Sequence, residues 1–165
     1  MKKYHLRRLD KEITDPALLR KVLKTAQYVT LAMSVENQPY LVSLSHGYDE
    51  KRNCIYFHCA SEGKKLDYMK SNGNVWGQAL LNHGYAPGEC THLYASVQFS
   101  GKVKLLNSHE EKIDALEIMM NQLDPNPEKV KERLVKLDPG SLDKTVVGRI
   151  DLDYMSGKKS KEIEI

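Results

Sequence analysis

The sequence predicts a mainly β protein, an antiparallel meander rolled into a small barrel with α-helices inserted between strands and packed at its rim and ends. Two observations carry this. Runs rich in β-branched and aromatic residues recur between short polar turns, first three together, then two, then one. Helix-start signatures fall between these groups without the regular strand–helix–strand alternation of a parallel sheet.

The chain opens M-K-K-Y-H-L-R-R, basic but leading into no apolar signal-peptide core, and residues 1–13 read as an N-terminal arm. Thr14-Asp15-Pro16 is a capped helix start, and Leu19, Val22, Leu23 and Ala26 share one face, which predicts a helix over residues 15–25. Residues 28–33 are strand-like, residues 36–39 a turn, and residues 40–46 a second strand ending at Gly47. A polar turn at 49–53 precedes the strand Cys54–Cys59, and a short helix is expected over Lys64–Ser71. Residues 75–81 are the fourth strand, 83–89 a loop and 91–106 a long fifth strand with a bulge at Gly101. Ser108 and Glu111 form a capping box, and the helix they open carries Ile113, Leu116, Met120 and Leu123 on one stripe, with its methionines read as core filler. Val130, Leu134 and Leu137 mark a fourth helix, closed by Asp138-Pro139-Gly140. Residues 145–154 are the sixth strand, and a polar tail follows over 156–165.

Length and composition bound the function. The 165 residues, 41% hydrophobic and 28% charged, suit one domain over residues 1–165 with a real core. No apolar run reaches the length of a membrane span, and the expected location is cytoplasmic. Cys54, Cys59 and Cys90 are odd in number and lack a C-x-x-C pair, so no disulfide framework is expected. A net charge of +3, with lysines scattered and little aromatic–basic alternation, argues against nucleic acid but suits a phosphate-bearing small molecule.

The chain is organised around residues 53–67, N-C-I-Y-F-H-C-A-S-E-G-K-K-L-D. A strand stops, Ser61, Glu62 and Gly63 turn, and Lys64 and Lys65 open a helix. That order offers an anion free backbone N–H groups and two positive charges. The same residues also fit a solvated connection with two surface lysines. Other chemistry is weaker. His83, Cys90 and His92, or His58 beside Cys59, have no zinc spacing, so no metal is expected. His58 and Cys59 are strand neighbours on opposite faces, and neither a G-x-S-x-G nor a G-x-G-x-x-G motif is present.

The runs Q-P-Y-L-V-S-L-S-H-G-Y-D (38–49), I-Y-F-H-C-A-S-E-G-K-K-L-D (55–67), Y-A-S-V-Q-F-S-G-K-V-K-L-L-N-S-H-E-E-K-I-D-A-L (94–116) and R-I-D-L-D-Y-M-S-G-K-K-S (149–160) together resemble the FMN-binding split-barrel superfamily. Within it they are most similar to the nitroimidazole-resistance branch of the pyridoxamine-phosphate-oxidase-like proteins, over residues 6–160. The resemblance implies a six-stranded antiparallel split β-barrel forming a homodimer, with FMN at the subunit interface. It implies that Lys64 and Lys65 grip the FMN phosphate while Ser61 and Gly63 shape the turn. Val42, Ser43 and Leu44 would stand on the strand whose backbone faces the isoalloxazine, and His58, Cys59 and Ala60 would end the neighbouring strand beside it. His58 matches a histidine of the redox site, as proton donor or substrate contact. Trp76, Gln98, Gly157 and Lys158 are candidates to contact the flavin of the other subunit. Trp76 also reads as core or dimer packing, and Gln98 as a satisfied strand residue.

Two departures narrow the activity. Vitamin B6 oxidases carry an arginine-rich C-terminal signature where only Arg149 stands here, which argues against that substrate. Lys64 replaces a frequent arginine and removes a bidentate donor to phosphate. The implied function is an FMN-dependent oxidoreductase that passes electrons to a small flat acceptor, a nitroaromatic being one candidate. The alternative is a non-enzymatic flavin- or haem-binding protein on the same barrel, with His46 and His58 as the histidines open to a haem.

Overall fold

In the computed structural model, which describes residues 6–165, the first helix α1 (Pro16–Thr25) starts where the Asp15 carboxylate accepts the Ala17 N–H at 2.8 Å. Pro16 at the first helical position gives up no hydrogen bond there. Leu19, Val22 and Leu23 point into the core as their spacing predicts. Residues 1–5 of the expected N-terminal arm lie outside the described residues.

Strands β1 (Tyr28–Val35) and β2 (Gln38–Ser45) are joined by Glu36 and Asn37, both at positive φ (49° and 61°). That is the two-residue turn whose twist matches the strands it joins. Val35 and Gln38 are then a hydrogen-bonded pair, and pairs alternate from there. Pro39, opposite Ser34, falls in a non-hydrogen-bonded pair and costs the ladder no donor.

The sheet has seven strands, not the six expected. The second strand does not stop at Gly47; it breaks at His46 and resumes as β3 (Gly47–Asp49) on a new partner, β4 (Cys54–Cys59). Strand order is β2-β1-β5-β6-β7-β4-β3, with β5 Asn74–Ala86, β6 Thr91–Leu105 and β7 Val146–Lys159. The two ends of this order are consecutive in the chain, so the sheet closes on itself through one residue. No pairing joins β2 to β4 among the described residues, and that gap is the split in the barrel.

Other boundaries also moved. Residues 83–86 continue β5 rather than forming a loop, bending at Gly84 (φ 89°) where the register shifts between Asn82 and Tyr85. The expected bulge at Gly101 is present, and a side chain there would overlap the Asp151 carbonyl. The polar tail expected from residue 156 is instead the end of β7, with Ser156 and Gly157 opposite Gln98 and Val97. Backbone groups make the ladder, so polar side chains on its outward face do not end it. Asp138-Pro139-Gly140 opens a further helix, α5 (Pro139–Lys144), whose cap is the Asp138 carboxylate accepting the Ser141 N–H at 3.1 Å.

Inside the barrel, Phe57 lies over Gly148 and Phe99 over Gly77, each a cross-strand pair in which a methyl on the glycine would overlap the ring. A second apolar layer joins the outer face of β4 and β7 (Cys54, Tyr56, Val147) to α3 (His109–Leu123) through Ala115 and Met119. The buried positions of α3 are Lys112, Ala115 and Met119, leaving Ile113, Leu116 and Met120 half-buried and Leu123 exposed. Small Ala115 and Gly47, which sits against the Met119 backbone, let the helix approach on that face. Lys112 can turn inward because its ammonium donates to the carbonyls of Leu142 (2.7 Å) and Thr145 (3.0 Å).

His46, at the hand-over from β2 to β3, is fully buried. Its Nε2 donates to the Leu23 carbonyl at 2.8 Å, and Gln122 joins the knot, donating to the same carbonyl (3.2 Å) and accepting the Tyr48 N–H (2.8 Å). A carbonyl only accepts, so Nε2 carries the proton and Nδ1 is a buried acceptor without a partner among the described residues. Burial pushes the pKa below the ordinary 6.5, and the ring is neutral. No helix among the described residues is long and apolar enough to cross a membrane.

Candidate functional site

The split between β2 and the end of β4 leads directly to the turn that opens α2 (Lys64–Ser71). The alternation set by the Glu36-Asn37 turn decides which groups of β2 face that split. Val42 and Leu44 spend their backbone groups on β1, whereas Leu41, Ser43 and Ser45 turn theirs to the open edge. Of Val42, Ser43 and Leu44, only Ser43 therefore turns its backbone groups to the open edge. Its hydroxyl lies 2.9 Å from that of Thr30, while Leu44 is buried in the core and Val42 is half-buried.

At the end of β4 the side chains divide by face. Phe57 and Cys59 point into the barrel, and His58 points out, exposed, into a cleft under α3 and α4 (Pro127–Val135). Burial pushes the Cys59 thiol up, against an opposing pull from the Lys65 charge, so Cys59 is a core thiol rather than a nucleophile. Ala60 and Ser61 are exposed in the turn. Gly63 sits at φ 123°, ψ 163°, a conformation essentially reserved for glycine, with no atom within 4 Å of where a side chain would begin.

Gly63 has no capping side chain to offer α2. Its carbonyl accepts the N–H groups of Leu66 (2.9 Å) and Asp67 (3.3 Å), but nothing among the described residues accepts those of Lys64 and Lys65. The Lys64 ammonium stands 4.7 Å from the Tyr40 ring centre and 5.5 Å from that of Tyr68, two rings 5.1 Å apart. Attraction to both rings holds one cation at the head of the helix. Two uncapped N–H groups, a positive helix end and the Lys64 ammonium thus lie together, a donor set that fits a phosphate monoester.

Trp76 and Gln98 lie elsewhere, on the outward face of the sheet. Trp76 is 40% exposed and packs edge-on against Tyr154 at 6.0 Å. Gln98 stands opposite Gln78 and Ser156 and lines a small hollow of about 70 Å³ with Leu6, Gly157 and Lys158. Tyr28, Leu41 and Leu80 share this face and are also exposed. Arg149 is taken by Asp151 at 2.8 Å, which also holds Lys104. No group of three His, Cys, Asp or Glu side chains able to hold a metal occurs among the described residues.

Sequence reading missed Tyr40 and Tyr68, which look like ordinary strand and helix residues until the fold stacks both beneath one lysine. It also missed Leu41 and Ser45. The signal for those was present: a two-residue turn fixes the alternation, and Pro39 marks its phase.

A family model described as pyridoxamine 5'-phosphate oxidase matches residues 15–159. No curated protein matches the chain. Among solved structures, a candidate 5-nitroimidazole antibiotic resistance protein from Bacteroides thetaiotaomicron superposes with a TM-score of 0.75 at 22% identity, covering 96% of this chain and 95% of that one. The flavocytochrome Anf3 of Azotobacter vinelandii superposes with a TM-score of 0.80 at 15% identity (98% and 75% covered). An FAD and heme binding protein of Mycobacterium smegmatis gives 0.77 at 16% (94% and 76%). At such identities these three likenesses are of fold.

Proposed function

The chain belongs to the pyridoxamine 5'-phosphate oxidase family, and from that premise we propose that it is an FMN-dependent oxidoreductase that delivers electrons to a small flat acceptor such as a nitroaromatic. The observation that carries this is the head of α2, where the free N–H groups of Lys64 and Lys65 and the Lys64 ammonium meet at the end of the barrel's open split. Lys64 and Lys65 hold the phosphate, and Gly63 keeps the turn in the shape that directs those donors. The edge groups of Leu41, Ser43 and Ser45 supply donors and acceptors for the rim of a planar ring. FMN, when bound, supplies the redox chemistry, while the protein supplies binding and orientation. In this reading His58, exposed at the end of β4, would hold or deliver a proton to the acceptor. Cys59, a buried neutral thiol, has no covalent part.

The working unit in this reading is a homodimer. Tyr28, Leu41, Trp76, Leu80 and Tyr154 give the outward sheet face an apolar patch unusual on a free surface. A second copy laid against it would cover these rings and bring Trp76, Gln98 and Lys158 to the other copy's flavin.

Purified protein should carry FMN near one per chain, read from its visible spectrum and from mass spectrometry of what heat releases. Replacing both Lys64 and Lys65 with alanine should abolish flavin retention; unchanged flavin content would sink the assignment. A second reading, binding of flavin or haem without turnover, draws on His58, the histidine left exposed where His46 is not. A Soret band after haem addition, lost on His58→Ala, would favour it.

A further inference from the structure

The α3 stripe of Leu116, Met120 and Leu123 is more apolar surface than the core uses, and the space it faces is a half-open cleft. Between α3, α4 and the outer face of β4 lies a cleft of about 620 Å³, within the range of small-molecule sites. Leu116, Met119, Met120 and Leu137 make its walls, and thioether side chains adapt to irregular ligands. Two polar groups enter with no hydrogen-bond or ion-pair partner among the described residues: the His58 imidazole from β4 and the Arg133 guanidinium from α4. Thr145 already donates its hydroxyl to the Ser141 carbonyl (2.9 Å), and Asp124 at the rim commits one carboxylate oxygen to the Asn126 N–H (2.9 Å). Free donors therefore outnumber free acceptors inside an apolar shell.

We propose that this cleft is a binding site for a small apolar monocarboxylate, its carbon body against the α3 stripe and its carboxylate on Arg133 and His58. A guanidinium takes a carboxylate through two parallel N–H bonds, which a neutral or cationic analogue cannot reproduce. The site opens on the outer face of β4, whereas the phosphate donors sit beyond the strand's end, so a carboxylate there leaves the FMN phosphate's place free, although it occupies His58, the group the proposed function gives to the acceptor.

The test is calorimetric titration of the full chain, flavin-free and FMN-loaded, with naphthalene-2-carboxylate, naphthalene-2-carboxamide and 2-naphthylmethylamine. The carboxylate should bind at least about tenfold tighter than the carboxamide, as one charge-assisted pair implies. Arg133→Gln should erase that preference, and Met120→Trp, which fills the cleft, should abolish binding, with circular dichroism confirming that both variants fold. No binding, equal affinity for acid and amide, or binding that survives Met120→Trp overturns the proposal. Displacement of the carboxylate by stoichiometric FMN would make the cleft part of the flavin's own site and overturn it equally.

Discussion

Gly63→Ala separates backbone shape from contact at the head of α2. Gly63 holds φ 123° and ψ 163°, and a methyl group added there would meet no atom within 4 Å. Neighbouring atoms thus contribute no penalty, and the whole cost is conformational, about 1–3 kcal/mol for an L-residue in this region. Alanine also stiffens the unfolded chain, which offsets about 0.4–1 kcal/mol of that. The net loss is about 0–2.6 kcal/mol, a fall in Tm of up to roughly 10 °C for a domain of this size. If instead the turn relaxes, the Tm falls less, but the N–H groups of Lys64 and Lys65 swing away and FMN affinity drops. Thermal unfolding followed by circular dichroism, together with a flavin-fluorescence titration, reads both routes. Gly88→Ala is the control: Gly88 also has positive φ (84°) and open surroundings, but sits in the turn after β5, so it should lower Tm without touching FMN affinity. A Gly63→Ala protein that keeps both its Tm and its FMN affinity would refute the reasoning.

Lys112→Met keeps the apolar stem but strips the Leu142 and Thr145 carbonyls of their donor, and should cost about 1–3 kcal/mol in urea unfolding. Gly148→Ala drives a methyl into the Phe57 ring and should cost about 1–3 kcal/mol, while pairing it with Phe57→Leu should lose less than the sum of the two single changes. The pKa of His46 is depressed on folding, so below pH 6.5 the unfolded chain binds a proton that the folded chain refuses. Stability is therefore full above pH 6.5 and falls as pH drops toward the folded value, with a slope of at most about 1.4 kcal/mol per pH unit. Denaturant midpoints between pH 7.5 and pH 5 should show this slope, flattened in His46→Leu.

Local signals placed most elements because those signals are local physics. Asp15-Pro16, Ser108–Glu111 and the Cys54–Cys59 strand carry their own caps, turns or periodicity, and the structure keeps them. What misled was composition. Ser156 to Lys159 look like a tail and residues 83–86 like a loop, yet both are held by ladder bonds that any side chain permits. The stripe on α3 was read as the core side because apolar periodicity says which residues avoid water, not how closely a helix can approach. Ala115 and the bare backbone of Gly47 decided that. At the site, the Gly63 turn that opens a helix at Lys64 and Lys65 was legible, whereas the tyrosines under Lys64 arrive from different elements and leave no sequence pattern. His46, read as open to a haem, could not be recognised as a buried residue either, since one residue exchanging two strand partners is a property of closure.

Strand order has a consequence for how this protein is made. The strand that lies between β6 and β4 is β7, the last of these seven to emerge from the ribosome. Until residues 146–159 are free, β4 has only three-residue β3 beside it and β6 has one bare edge. Phe57 meanwhile has no Gly148 to cover. The first hairpins can form during synthesis, but the barrel can shut only after residues 146–159 have been made, so until then the nascent protein carries an unpaired, apolar edge.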